Sequence, residues 1–272
     1  MTNTHTRSTI ANCIVLHDFT RNPGELRGWF EYTLALFDKY GVEPTKADST
    51  GLNGVKGSKN ILFKNQKKRL EACDFQGIDG LWFGANPPDH FNDSADVLFS
   101  THVSLGPFPP VLVLCLDDAI VPWRSETFTS LGRALSQFFG ARYGYVYQRL
   151  WIHGPDEFSF GTIGFSGKRS DPQPDAEECH RIGQWGLEYR INEKYRTGDL
   201  RDIYPLNFVC REHLHRDIRG CSFEQWVQAD ASRGTLTPLE HTDPALWVWE
   251  VEASLCEAVR QELIPSGMIL CV

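Results

Sequence analysis

His213, His215 and Asp217 form an H-x-H-x-D pattern, the opening of a longer zinc-binding signature that would end in another histidine. Two imidazoles two residues apart on one strand face reach a single ion, but a catalytic site needs further ligands around an open position. Ile218 stands where the last histidine would be, and only His241 follows downstream. With Arg211, Arg216 and Arg219 interspersed, the segment reads as a polar surface stretch, and a metal-dependent hydrolase built on His213, His215 and Asp217 is kept as the alternative.

Other patterns stop short of a mechanism. Gly161 to Lys168 approaches a phosphate loop, yet five residues separate Gly161 from Gly167 and Arg169 replaces the hydroxyl residue that would hold Mg²⁺. Gly164, Ser166 and Gly167 miss the G-x-S-x-G spacing of a nucleophile elbow. His17 with Asp18, and His153 with Asp156 and Glu157, offer acid and base groups that need a shared cleft before they mean anything. Glu177, Glu178, Cys179 and His180 mix ligand types without the spacing of a finger, as a helix surface would. These readings point to no catalytic residue, no metal and no cofactor.

Composition narrows the classes. In 272 residues, 41% hydrophobic and 23% charged, no stretch reaches the roughly 20 apolar residues of a membrane span, and Met1 to Thr9 lacks an export signal. Eight cysteines are scattered singly, as free thiols of a reducing cytoplasm are. A formal charge of −8, from 27 basic and 35 acidic side chains, opposes a phosphate backbone. The one dense basic run, Lys64, Lys67, Lys68 and Arg69, lacks interleaved aromatic residues for stacking. Neither a nucleic acid nor a membrane is an expected partner.

The elements that must carry such groups alternate. Asn12 to Leu16 reads as a strand, and Leu26, Trp29, Phe30, Leu34 and Phe37 as an amphipathic helix. A polar loop is expected over Ser49 to Asn60, and strands at Gly80 to Gly84 and Val97 to Leu105. Val111 to Leu116 is apolar throughout, as a central strand covered on both faces would be. Phe128, Leu131, Leu135 and Phe138 repeat at helical spacing before Gly140. Tyr143, Tyr145 and Tyr147 then share one strand face, with Phe158 and Phe160 expected on a hairpin partner.

Ser166 to Asp175 is the clearest loop. A helix over Cys179 to Tyr195 conflicts with Gly183 and Gly186. Ser222 and Gln225 have capping-box spacing, Trp247 to Val251 alternates as a strand, Leu255 to Leu263 is a helix and Met268 to Leu270 a last strand. The expected fold is α/β (α+β), a mixed or antiparallel sheet with amphipathic helices packed on its faces. It spans 1–272 as one domain, or as two similar β/α halves divided near 166–175.

The stretches Ala141 to Tyr147 (A-R-Y-G-Y-V-Y) and Arg201 to Asn207 (R-D-I-Y-P-L-N) carry a resemblance to bacterial type VI and polymorphic-toxin immunity proteins. In layout, residues 125 to 270 are similar to the DUF3396-like and Imm52-like groups. The resemblance implies a non-enzymatic cytoplasmic inhibitor that binds a cognate toxin, and it carries over no catalytic residue. An acidic balance suits capture of a basic toxin, and Asp171, Asp175, Glu177 and Glu178 are the candidate contact. A scaffold subunit is the third reading.

Overall fold

Residues 111–117 are buried without exception, so the strand they form is covered on both sides. The computed structural model describes residues 9–18, 25–51, 57–86, 97–106, 109–163, 174–188 and 194–272. The first half holds β1 (Ile10–His17), α1 (Glu25–Lys39), β2 (Lys46–Gly51), β3 (Ser58–Leu62), α2 (Phe63–Cys73), β4 (Ile78–Ala85), β5 (Phe99–Ser104) and β6 (Val111–Asp117). Then come α3 (Ser125–Phe139), β7 (Tyr143–Leu150), α4 (Pro155–Ser159), α5 (Ala176–Leu187), β8 (Leu206–Cys210) and α6 (Arg211–Leu214). The chain ends with β9 (Asp217–Ile218), β10 (Cys221–Ser222), α7 (Phe223–Gln228), β11 (Thr235–Leu239), β12 (Leu246–Glu250) and α8 (Cys256–Leu263).

Ten strands form one sheet in the order β11-β12-β8-β7-β1-β6-β5-β4-β2-β3, and every ladder in it is antiparallel. The α+β fold is as the sequence reading has it, and β6 and β1 lie at the middle. Because strand side chains alternate, β6 gives Leu112, Leu114 and Leu116 to one face and Val111, Val113 and Cys115 to the other. Helices α1 and α3 close the first face with their apolar stripes, Leu26, Trp29, Phe30, Leu36 and Phe37 from α1 and Phe128, Leu131 and Leu135 from α3. Gly132 lets α3 sit on β8, since a Cβ there would lie 2.2 Å from Phe208 Cζ.

The second face is covered by shorter pieces: α4, α5, α6, α7, α8 and the stretches around Leu200 and Met268. Large aromatic residues fill it, with Tyr143, Tyr145, Trp185, Phe223 and Trp249 fully buried.

Several local expectations are corrected. Phe158 lies in α4 and Phe160 in the turn after it, so they form no hairpin; the neighbours of β7 are β1 and β8. The expected loop at Ser49 to Asn60 begins and ends in strands β2 and β3. Met268 to Leu270 makes a single parallel bridge, Leu200 to Ile269, in place of a strand. The basic run from Lys64 lies in α2, where Gln66 and Leu70 are the buried positions.

Helix α5 starts earlier than expected, with Asp175 as N-cap accepting from Glu178 N at 2.7 Å. Its Gly186 has a packing reason: Gly161, at φ +70°, crosses so closely that a Cβ on Gly161 would meet Gly186 Cα at 2.3 Å. Of the 166–175 loop, 166–173 lie outside the described residues; β7 before it and β8 after it are hydrogen-bonded neighbours.

Candidate functional site

Strand β7 runs past the end of β8. Their ladder holds only Gly144 with Phe208, Tyr145 with Asn207 and Val146 with Leu206, while β7 stays paired to β1 as far as Leu150. A cleft of about 510 Å³ opens where the two strands part. Tyr147, Gln148 and Arg149 of β7 line it, with Phe158 of α4, Asp175, Glu178, Arg181 and Ile182 of α5 and its cap, and Arg201, Asp202 and Tyr204 opposite.

Hydrogen bonds fix each wall. Tyr147 donates its phenol to Pro155 O at 2.5 Å, and Trp185 its indole N–H to Ser159 O at 2.9 Å, which ties α4 to the sheet and α5 to α4. Asn207 holds the turn before β8, donating to Tyr204 O at 2.6 Å and accepting from Tyr204 N at 3.3 Å. Tyr204 thereby stacks on Tyr145, ring centroids 4.5 Å apart.

Two arginines supply the charge. Arg201 is 2% exposed; its Nη1 donates to Tyr145 Oη at 2.6 Å, and its backbone N–H to Tyr143 Oη at 2.8 Å. Its guanidinium carbon lies 3.8 Å from the Phe158 ring centroid and 5.1 Å from that of Trp185. Arg149, 8% exposed, sits 4.5 Å from the same Phe158 ring, donates from Nε to His153 O at 2.9 Å and pairs with Glu178 at 2.5 Å. Burial pushes the Tyr145 phenol up to about 12 in spite of Arg201 beside it, so Arg201 faces a neutral hydroxyl.

The acidic residues expected at a partner contact are placed differently from one another. Asp175 and Glu178 line the cleft, the first spent on the α5 cap and the second on Arg149. Glu177 is exposed and pairs with Arg181 at 3.1 Å. Asp171 lies outside the described residues.

The H-x-H-x-D residues do not converge. His213 is buried in α6, just beyond β8, its Nδ1 accepting from Cys210 N at 3.3 Å, and burial lowers it to about 4. His215 and Asp217 are exposed, and among the described residues no group of three or more His, Cys, Asp or Glu could hold an ion. The physical reason is the local fold: α6 and a turn occupy 211–216, where an extended strand would have aligned the two imidazoles.

His17 and Asp18 are likewise separated. His17 is buried against Tyr143, Tyr145 and Trp185, and burial, with Arg201 second, lowers it well below the usual histidine range. Asp18 instead pairs with Arg196 at 2.9 Å and Arg142 at 3.7 Å. Asp156 is half-buried under the sheet, accepting from Trp82 Nε1 at 2.8 Å, Ser100 Oγ at 3.3 Å and Cys115 Sγ at 3.4 Å; desolvation there raises it to about 6. Most of Gly161 to Lys168 lies outside the described residues.

Neither a family model nor a curated protein sequence matches the chain. The solved structure of the Pseudomonas aeruginosa T6SS protein PA0821 superposes with a TM-score of 0.62 at 11% identity, over 96% of this chain and 77% of that one. The chain shares its fold with that T6SS protein. A second structure, the toxic C-terminal tip of CdiA from Pseudomonas aeruginosa in complex with immune protein, aligns over 60% of this chain and 98% of that one at 14% identity, with a TM-score of 0.27 that carries no weight.

Arg149, Arg181 and the cleft roles of Phe158 and Arg201 are not singled out by sequence patterning. Arg201 and Tyr204 do fall inside R-D-I-Y-P-L-N, and Tyr147 inside A-R-Y-G-Y-V-Y, the two stretches that carry the immunity-protein resemblance. No helix of the described residues is long and apolar enough to cross a membrane.

Proposed function

We propose that the chain is a non-enzymatic cytoplasmic immunity protein that binds a cognate toxin and neutralises it by occluding its active site or substrate surface. The observation that carries this reading is a fold held in common with a T6SS protein over nearly the whole chain. Two further features support it: the immunity-protein resemblance falls on residues that build one cleft, and the net charge of −8 favours rapid capture of a basic partner. The exposed first turn of α5, with Glu177 beside Asp175 and Glu178, is the contact surface in this reading.

The test is co-expression with the toxin-like reading frame next to its gene. A stable stoichiometric complex on size exclusion, with the toxin's activity abolished in it, is the expected outcome. Glu177→Lys is expected to slow association several-fold at low salt and much less at high salt, because a rim charge steers encounter. Failure to bind any adjacent-gene product overturns the assignment.

A further inference from the structure

The cleft holds more buried positive charge than its neighbours use. Arg201 is 2% exposed, its guanidinium bonds a phenol, and the adjacent Asp202 gives its carboxylate to Arg260 at 2.9 Å. Among the described residues no carboxylate lies within 4.0 Å of Arg201. Arg149 is matched on one side by Glu178, yet its Nη2 is buried without any hydrogen-bond partner. Asp175, the remaining acid in the wall, is engaged as the α5 cap. Removing a guanidinium from water without a paired anion is costly, and a buried donor left unused adds to that cost.

We propose that this cleft is an anion site that takes a small organic ligand carrying a phosphate or carboxylate, with Arg201 and Arg149 as its charge partners. Both guanidiniums pack against the Phe158 ring and line the cleft, and Arg181, paired with Glu177 at 3.1 Å, stands at its α5 side. Planar guanidinium forks suit oxyanions, giving two parallel hydrogen bonds to one group. Tyr147, Tyr204 and Trp123 supply apolar walls for the ligand's body, and about 510 Å³ falls within the range of small-molecule sites. The site is a property of the chain alone and stands whether or not a toxin binds.

Phenyl phosphate and benzoate, with benzyl alcohol as the neutral counterpart, are the probes, titrated into the full chain by calorimetry and by thermal unfolding in a chloride buffer. One-to-one saturable binding of at least one anion below about 1 mM, the affinity of a fragment of this size, and a raised Tm are expected. Arg149→Gln and Arg201→Met are each expected to weaken binding at least tenfold, whereas Lys64→Gln on α2 leaves it unchanged. Should Arg201→Met fail to fold, Arg149→Gln decides. No saturable binding of either anion, equal binding of benzyl alcohol, or affinities unmoved by the folded variants overturns the proposal.

Discussion

Tyr145 and Arg201, 56 residues apart in the chain, are joined by a 2.6 Å hydrogen bond from the guanidinium to the phenol oxygen, and both are buried. The bond links β7 of the sheet to the segment that leads into β8, and it decides how the wall of the cleft stands.

Tyr145→Phe removes the acceptor of that bond and leaves a buried charged donor unpaired, so it is expected to cost about 2 kcal/mol. In an Arg201→Met background the same change is expected to cost under about 1 kcal/mol, since the donor it would strand is gone. Urea unfolding of the four proteins of this cycle measures the coupling; additive losses would show that the bond carries no energy of its own.

Acid is expected to destabilise the protein. Burial holds His102 and His213 at about 4 and His17 well below the ordinary value, so between pH 6.5 and about 4 the unfolded chain binds protons that the folded chain refuses. Stability therefore falls as pH drops through this window, each histidine contributing roughly 1.4 kcal/mol per pH unit. Asp156, raised to about 6, opposes them below that pH. The expected net change from pH 7 to pH 5 is a loss of several kcal/mol, read from urea midpoints; a flat profile would contradict the lowered values of the three imidazoles.

Asp156→Asn isolates the opposing group. The carboxyl is protonated more readily folded than unfolded, so acidification from pH 8 to pH 5 stabilises the native protein at this position and does nothing for the amide. The variant is expected to lose on the order of 1 kcal/mol relative to the native protein over that range, most of it below pH 6. Equal pH profiles for the two proteins would place the ordinary carboxylate value at Asp156.

Gly132→Ala tests how closely α3 approaches the sheet. Helix propensity alone would favour alanine by roughly 1 kcal/mol. The added methyl meets Phe208 Cζ at 2.2 Å, and the ring is fully buried, so a net loss of about 1–3 kcal/mol is expected. A raised Tm would mean that Phe208 can move aside.

Ser222→Ala removes one half of a reciprocal cap, in which Ser222 Oγ accepts from Gln225 N at 3.2 Å and Gln225 Oε1 accepts from Ser222 N at 3.0 Å. The expected cost is about 1 kcal/mol, and Ser222→Asn is expected to restore most of it. Unfolding midpoints of the two variants check this.

The sequence by itself determined whatever depends on short-range periodicity. Val111 to Leu116 is apolar at every position because both faces of β6 are covered; Leu26 to Phe37 and Phe128 to Phe138 repeat at helical spacing because one stripe of each is buried. The Ser222 cap and the alternation of Tyr143, Tyr145 and Tyr147 are legible for the same reason, since the partners that define them lie within four residues. Phe158 misleads because a five-residue helix and a short strand place two nearby aromatics almost equally well, and Gly186 misleads because its reason, the passing backbone of Gly161, is 25 positions away.

Tertiary structure alone decided the cleft. Arg149, Phe158, Arg181 and Arg201 come from a strand, two helices and a loop, and no spacing in the chain marks them as neighbours. It also decided against convergence of His213, His215 and Asp217, because a helical turn at 211–214 buries the first imidazole and leaves the second exposed. Burial and charge pairing are sums over contacts between distant segments, and the order in which β7, β8 and β1 lie side by side, which sets those contacts, is fixed by the packing of the whole sheet.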